Sequence, residues 1–249
     1  MSAAGAACQN FARMRSQVPL CPVDALAWQP AGVPGIDIKP LNVDPATGAR
    51  TSLLRSAVRT TVEHKAQYHP GHEEFLCLDG RFTFDGVDWF VPGSYVHFPP
   101  RTVHGASVQV PGGYLLYLRT TGTAVAHPVA APRHPTPYAL DAPDAGSPAT
   151  VSRVTAGLAE AGGSEPLRRE PGGAGQVLWS MLRAGESLPD AVAAHDGPLE
   201  MLLVSGALRA SGGRVVQAPA YGFYPQGLRD EPLVADADSA ILTHSGALA

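Results

Sequence analysis

Short apolar runs, broken by glycine, proline and aspartate, dominate the chain from about residue 53 onward. Leu53 to Val58, Glu74 to Leu78, Arg81 to Phe84, Trp89 to Val91, Tyr95 to Phe98 and Tyr114 to Leu118 read as strands. Asp79-Gly80 and Asp85-Gly86 punctuate them, and Asp-Gly suits a tight hairpin because both residues tolerate positive φ. A second series follows: Val177 to Leu182, Glu200 to Val204, Val215 to Gln217, Tyr221 to Tyr224 and Ala240 to Thr243. Upstream, Gln9 to Arg15 fits one or two helical turns, halted by Pro19 and Pro22. The pattern predicts an N-terminal arm over residues 1–25, a first lobe over 26–127, a Pro-, Ala- and Asp-dense linker over 128–148, and a second lobe over 149–249.

The two series are copies. A shift of 126 residues sets His69 on His195, Gly71 on Gly197, Glu74 on Glu200, Leu76 on Leu202, Gly80 on Gly206 and Gly86 on Gly212. Without a gap it also sets Tyr95 on Tyr221, Pro99 on Pro225 and Leu116 on Leu242. The matches fall on glycines, a proline and polar positions, which chance overlap of apolar runs does not produce, so a duplicated β domain is predicted.

Composition narrows the function classes. At 249 residues with 45% hydrophobic and 16% charged positions, the chain is globular rather than disordered. Its 27 glycines and 24 prolines leave little room for long helices. The formal charge is −4, and only Lys39 and Lys65 are lysines among the 18 basic residues, so no basic stripe exists for nucleic acid. Cys8, Cys21 and Cys77 make neither a disulfide framework nor a metal spacing, and Cys77 in Phe75-Leu76-Cys77-Leu78 reads as a small buried thiol. With no signal-peptide h-region and no apolar run long enough to span a membrane, a soluble, reduced, cytoplasmic protein with no membrane partner is expected.

The chemistry concentrates in the first lobe. His69-Pro70-Gly71-His72-Glu73-Glu74 precedes a strand ending in Gly80, and Gly93-Ser94-Tyr95-Val96-His97-Phe98-Pro99-Pro100-Arg101-Thr102-Val103-His104 follows. These paired motifs resemble the cupin superfamily. The stretch from Tyr68 to Gly105 is most similar to the cupin lobe of the ChrR anti-sigma family and to the related acetylacetone-cleaving dioxygenases. The resemblance implies an all-β fold: tandem double-stranded β-helix (jelly-roll) barrels, a bicupin, with one divalent metal inside the first barrel.

Carried onto this chain, the resemblance makes Glu74 the metal carboxylate, His69 and His104 the histidine ligands, and Gln67 the occupant of a position usually held by histidine. Glu73 is then the solvent-facing neighbour of Glu74. His72 is a further candidate ligand, and Tyr95 and His97, sharing one strand face, are candidates for supporting or pocket roles. Two histidines and a carboxylate suit Fe(II) with open positions; Zn, Mn and Ni remain compatible. In the second lobe His72 has become Pro198, His104 Asp230 and Gln67 Ala193. That lobe is expected to be structural, its interior filled by Leu202 and Phe223, and to support a homodimer.

Three functions are compatible with this reading. The first is a metal-dependent dioxygenase on a small chelating substrate, dicarbonyl or aromatic. The second is a non-catalytic small-molecule or metal-sensing module like the ChrR lobe. The third is a metal-free sugar epimerase or isomerase. Anti-sigma function itself is disfavoured, because the first 50 residues lack the histidine-cysteine cluster of the ChrR anti-sigma domain.

Overall fold

The computed structural model describes residues 17–56, 60–62, 66–84, 89–105, 108–110, 112–129, 137–141, 150–153, 162–170, 175–228 and 232–246. The Gln9–Arg15 turns, Asp85-Gly86 and Asp230 lie outside these residues. The chain forms two compact units, one of Trp28–Arg153 and one of Met1–Ala27 with Val154–Ala249. Both are built of strands, as the breaker-rich sequence requires; the helical content among the described residues is one α-turn at Asp190–Ala193 and one 3-10 turn at Ser211–Gly213. No described helix is long and apolar enough to cross a membrane.

In the 28–153 unit the main sheet runs Thr150–Arg153, Ser94–Phe98, Glu73–Gly80, Tyr114–Thr120, Arg50–Ser56, Ile36–Val43 and Gln29–Pro30, in that spatial order. The strands Thr60–Val62, Val108–Val110, Phe82–Thr83 and Trp89–Phe90 make a second sheet, and two two-stranded pieces pair Thr102–Val103 with Tyr138–Ala139 and Gln67–Tyr68 with His127–Pro128. In the other unit the path runs Val18–Pro22, Ala220–Tyr224, Leu199–Arg209, Val234–Gly246, Gly175–Leu182 and Gly163–Arg169, with Val215–Gln217 added beside Leu199–Arg209. Val18–Pro22, read from sequence as part of an arm, is thus a strand of this sheet.

The expected jelly-roll barrels are not what forms. Among the described residues each main sheet is an open path whose two end strands do not pair with each other. Proline is one physical reason. The Ser94–Phe98 strand stops at Pro99-Pro100 and Gln29–Pro30 is an end strand, and a residue without an N–H cannot carry a ladder onward.

The two units share one hydrogen-bonding register. Glu74 faces His97 and Leu76 faces Tyr95; 126 residues on, Glu200 faces Phe223 and Leu202 faces Tyr221. The last strand drifts by one residue: Tyr117 faces Leu76, whereas Leu242 faces Leu202, so Tyr117 and not Leu116 is the counterpart of Leu242. Gly80 and Gly206 show why glycine stays at these positions. Both have positive φ (71° and 83°), and a Cβ would lie 2.2 Å from the Gly113 carbonyl oxygen in one and 2.2 Å from that of Asp238 in the other.

Side-chain alternation sorts each sheet into two faces. In the 28–153 unit Phe75, Cys77, Val96, Phe98, Tyr114 and Leu116 form one apolar cluster with Phe82 and Phe90. The opposite face carries Glu74, Leu76, Tyr95, His97, Tyr117 and Arg119, and all of these are buried as well.

Candidate metal centre

Two short segments bring His69 and His104 together. His69 follows Gln67–Tyr68 and His104 follows Thr102–Val103. Gln67 and His104 exchange both backbone hydrogen bonds, 3.1 Å from Gln67 N and 2.9 Å from His104 N. The Arg101 N–H donates to the His69 carbonyl at 2.9 Å, and Arg101 itself takes φ 63° to turn the chain back after Pro100. The two imidazole centroids end 5.5 Å apart.

Each ring is oriented from behind. His104 Nδ1 lies 2.9 Å from the Thr102 carbonyl oxygen, and His69 Nδ1 lies 3.2 Å from that of Val125. A carbonyl oxygen only accepts, so Nδ1 carries the proton in both rings and Nε2 faces the site. Phe98 stacks on His104 at 4.3 Å between centroids and fixes its plane.

The carboxylate between them is Glu73. Its Oε2 is 2.8 Å from His104 Nε2 and its Oε1 is 3.7 Å from His69 Nε2. Among the described residues His69, Glu73 and His104 make the one group whose ligand atoms converge in this way, all within 4.8 Å of one another. Both histidines are 8% exposed. Glu73 Oε2 is buried against His104 Nε2. Metal bonds of about 2.0–2.2 Å put neighbouring ligand atoms roughly 3 Å apart, so the 2.8 Å and 3.7 Å nitrogen–oxygen spacings and the Nε2 orientation fit a bound cation.

Glu74, the carboxylate expected from sequence, is not in the cluster. It is 1% exposed on the other face, where it accepts a 3.0 Å hydrogen bond from Tyr95 Oη and lies 3.7 Å from Arg119 Nη1. Tyr95 and His97 share that face. His72 joins them, its Nδ1 2.8 Å from His97 Nε2 with the rings stacked at 5.1 Å. None of these three belongs to the histidine–carboxylate cluster. The physical cause is strand parity: Glu73 alternates with Phe75 and Cys77 toward the apolar cluster, and a one-residue misreading moves a whole set to the wrong face. Gln67, by contrast, does line the cavity beside Glu73 and His104.

That cavity measures about 230 Å³. Its polar lining comes from Arg50, Gln67, Glu73 and His104, and its walls are apolar and aromatic, among them Leu54, Phe75, Phe82, Phe84 and Leu118. Burial alone would lift the Glu73 carboxyl; His104 overrides it, with His69 and Arg50 helping, and holds the group below its usual value of 4.5. Burial alone would likewise push His104 down, and Glu73 together with the Thr102 carbonyl outweighs this and raises it above 6.5. Each group thus favours the charged form of the other, and a cation at Nε2 competes with the His104 proton.

Among the described residues the second unit has no such cluster. Leu199 stands where Glu73 stands, in the same register, and His195 uses Nδ1 to accept the Gly197 N–H at 2.8 Å. Glu200 is not a leftover ligand but the repeat of Glu74, accepting from Tyr221 Oη at 2.6 Å. Leu202 and Phe223 are buried, but on the Glu200 face; the interior is filled by Leu199, Met201, Leu203 and Tyr224.

Residues 16–123 match the ChrR cupin-like domain family, so a cupin-superfamily domain is present and contains the whole triad. Solved structures share the fold across both units at low identity. A candidate dioxygenase from Nostoc punctiforme is 14% identical with TM-score 0.63, covering 92% of this chain and 80% of that one. The bacterial pirin YhhW from Escherichia coli, solved with nickel(II), is 13% identical with TM-score 0.57, covering 91% and 97%. An oxalate decarboxylase from Bacillus subtilis is 12% identical with TM-score 0.54, covering 92% and 77%. No curated protein matches the chain.

Proposed function

We propose that this protein is a metal-dependent enzyme of the dioxygenase type, using one divalent metal per chain, iron(II) in the first instance, on a small oxygen-chelating substrate. The observation that carries the reading is the convergence of His69 Nε2, His104 Nε2 and Glu73, with Glu73 and His104 lining an apolar-walled cavity. Three protein ligands leave coordination positions for substrate and O₂. When bound there, iron(II) supplies redox chemistry with O₂ and polarises a chelating oxygen. The chain's own contributions are orientation and exclusion of water. The Thr102 and Val125 carbonyls hold the imidazoles in one tautomer, and Phe75, Phe82 and Phe84 keep the substrate side dry. The two units are read as copies of one domain, of which, among the described residues, the 28–153 copy alone keeps a site.

The test is anaerobic reconstitution with Fe(II), followed by oxygen uptake with β-diketones, catechols and flavonols. Metal-dependent uptake with a member of the panel is expected. The ChrR-like match favours one alternative, a non-catalytic sensing module. Tight small-molecule binding with no uptake across the panel would select that alternative.

A further inference from the structure

Arg50 belongs to the same row of side chains as Glu73. Arg50 faces Thr120, Thr120 faces Glu73, and Glu73 faces Phe98 across four adjacent strands. Directly opposed residues of an antiparallel pair project from the same face, and Arg50 accordingly lines the cavity together with Gln67, Glu73 and His104. Its Nε is buried without a hydrogen-bond partner among the described residues.

Arg50 as a whole is half-buried, but a guanidinium cannot discharge by losing its proton, so its buried Nε–H calls for an acceptor. Among the described residues Glu73 is the one acidic side chain lining this cavity, and it is already turned to the two histidines. A divalent ion at the triad would leave the cavity with more positive charge than Glu73 neutralises.

The second unit offers an independent comparison. The same register there runs Gln176, Ser245, Leu199, so Gln176 stands for Arg50 and Leu199 for Glu73. Both charges are absent together, while the buried Tyr–Glu pair is kept in each unit. Arg50 thus goes with the site and not with the scaffold.

We propose that Arg50 is the carboxylate-binding residue of this site, and that its ligands are small carboxylic acids with an apolar, ring-sized body. The carboxylate sits on the Arg50 fork, the body lies against Phe75, Phe84 and Leu118, and a second oxygen of the ligand faces the triad. Size agrees: a cavity of about 150 Å³ accepts benzene, so 230 Å³ holds a ring with a carboxylate. This rests on the metal-centre reading only for the second oxygen; the Arg50 contact stands without it.

The test is titration calorimetry on the full chain, metal-free and nickel-loaded, with benzoate, phenylglyoxylate and the neutral control benzamide. Wild type is expected to bind both acids, and benzamide at least about tenfold more weakly. Arg50→Gln should weaken both acids about tenfold or more, leave benzamide unchanged and keep its metal; Arg50→Lys, which keeps the charge, should fall between and serves as the folding control. Equal benzoate affinity in Arg50→Gln and wild type would overturn the proposal, as would equal affinity of wild type for benzoate and benzamide, or no binding of either acid. The metal reading fails separately: if nickel is not retained, yet Arg50-dependent benzoate binding persists, the triad assignment falls and the Arg50 assignment holds.

Discussion

Tyr95 donates a 3.0 Å hydrogen bond to Glu74 on the sheet face turned away from His69 and His104. Tyr221 and Glu200 repeat the bond at 2.6 Å in the second unit. A buried carboxylate that loses one donor costs about 1–3 kcal/mol. Tyr95→Phe should therefore lower the denaturation midpoint while leaving metal content unchanged. Tyr221→Phe should do the same although the described residues of its unit hold no triad. Loss of metal in Tyr95→Phe would tie this pair to the site.

His69→Ala and His104→Ala each remove a nitrogen ligand whose Nδ1 is held by a backbone carbonyl. Either variant should lose most bound metal on dialysis, with outer contacts unable to compensate. Elemental analysis after gel filtration checks this, and full occupancy in either would exclude that histidine.

The His104–Glu73 pair gives a signed pH dependence. His104 is raised, so its contribution to the stability of the metal-free protein is complete below about 6.5 and is lost as pH rises through its higher folded value. Glu73 is lowered, so its contribution is present above 4.5 and is lost as pH falls through its lower folded value. The pair therefore supports the metal-free protein most between 4.5 and 6.5. Metal affinity runs the other way on the alkaline side, strengthening with pH until His104 has lost its proton. Calorimetry in buffers of different ionisation enthalpy should show proton release on metal binding, and the absence of release would contradict the pairing.

Cys77 is 1% exposed, and burial, with Asp79 adding to it, pushes its thiol up to about 12. It should resist alkylation at pH 8 in the folded chain and react only in denaturant. Rapid native labelling of Cys77, read by peptide mass, would refute that.

Much of the architecture was legible because turns leave backbone signatures. Gly80 and Gly206 repeat at a fixed offset since a Cβ at either would strike a carbonyl. His69 and His104 stood out for their place in two linked motifs. What the sequence concealed was parity. Glu73 and Glu74 are adjacent and chemically alike, and only the shared face with Phe75 and Cys77 decides between them. One signal was present: Glu74 and Tyr95 are both kept at the 126-residue offset, in a unit where Glu73 has become Leu199, which marks the first pair as scaffold. Arg50 escaped notice because it lies in no histidine motif and meets the site only through the strand order. Sheet closure was illegible for a different reason, since strand runs do not state which edges pair.

Glu73 converges with His69 and His104 while Glu74 does not, so Glu73, and not Glu74, is read as the metal carboxylate. Metal content per chain of Glu73→Gln and Glu74→Gln, loaded and dialysed side by side, tests it most directly. Glu73→Gln should lose most of its metal, and Glu74→Gln should retain about one ion per chain, as wild type does. Retention in Glu73→Gln with loss in Glu74→Gln would contradict the account.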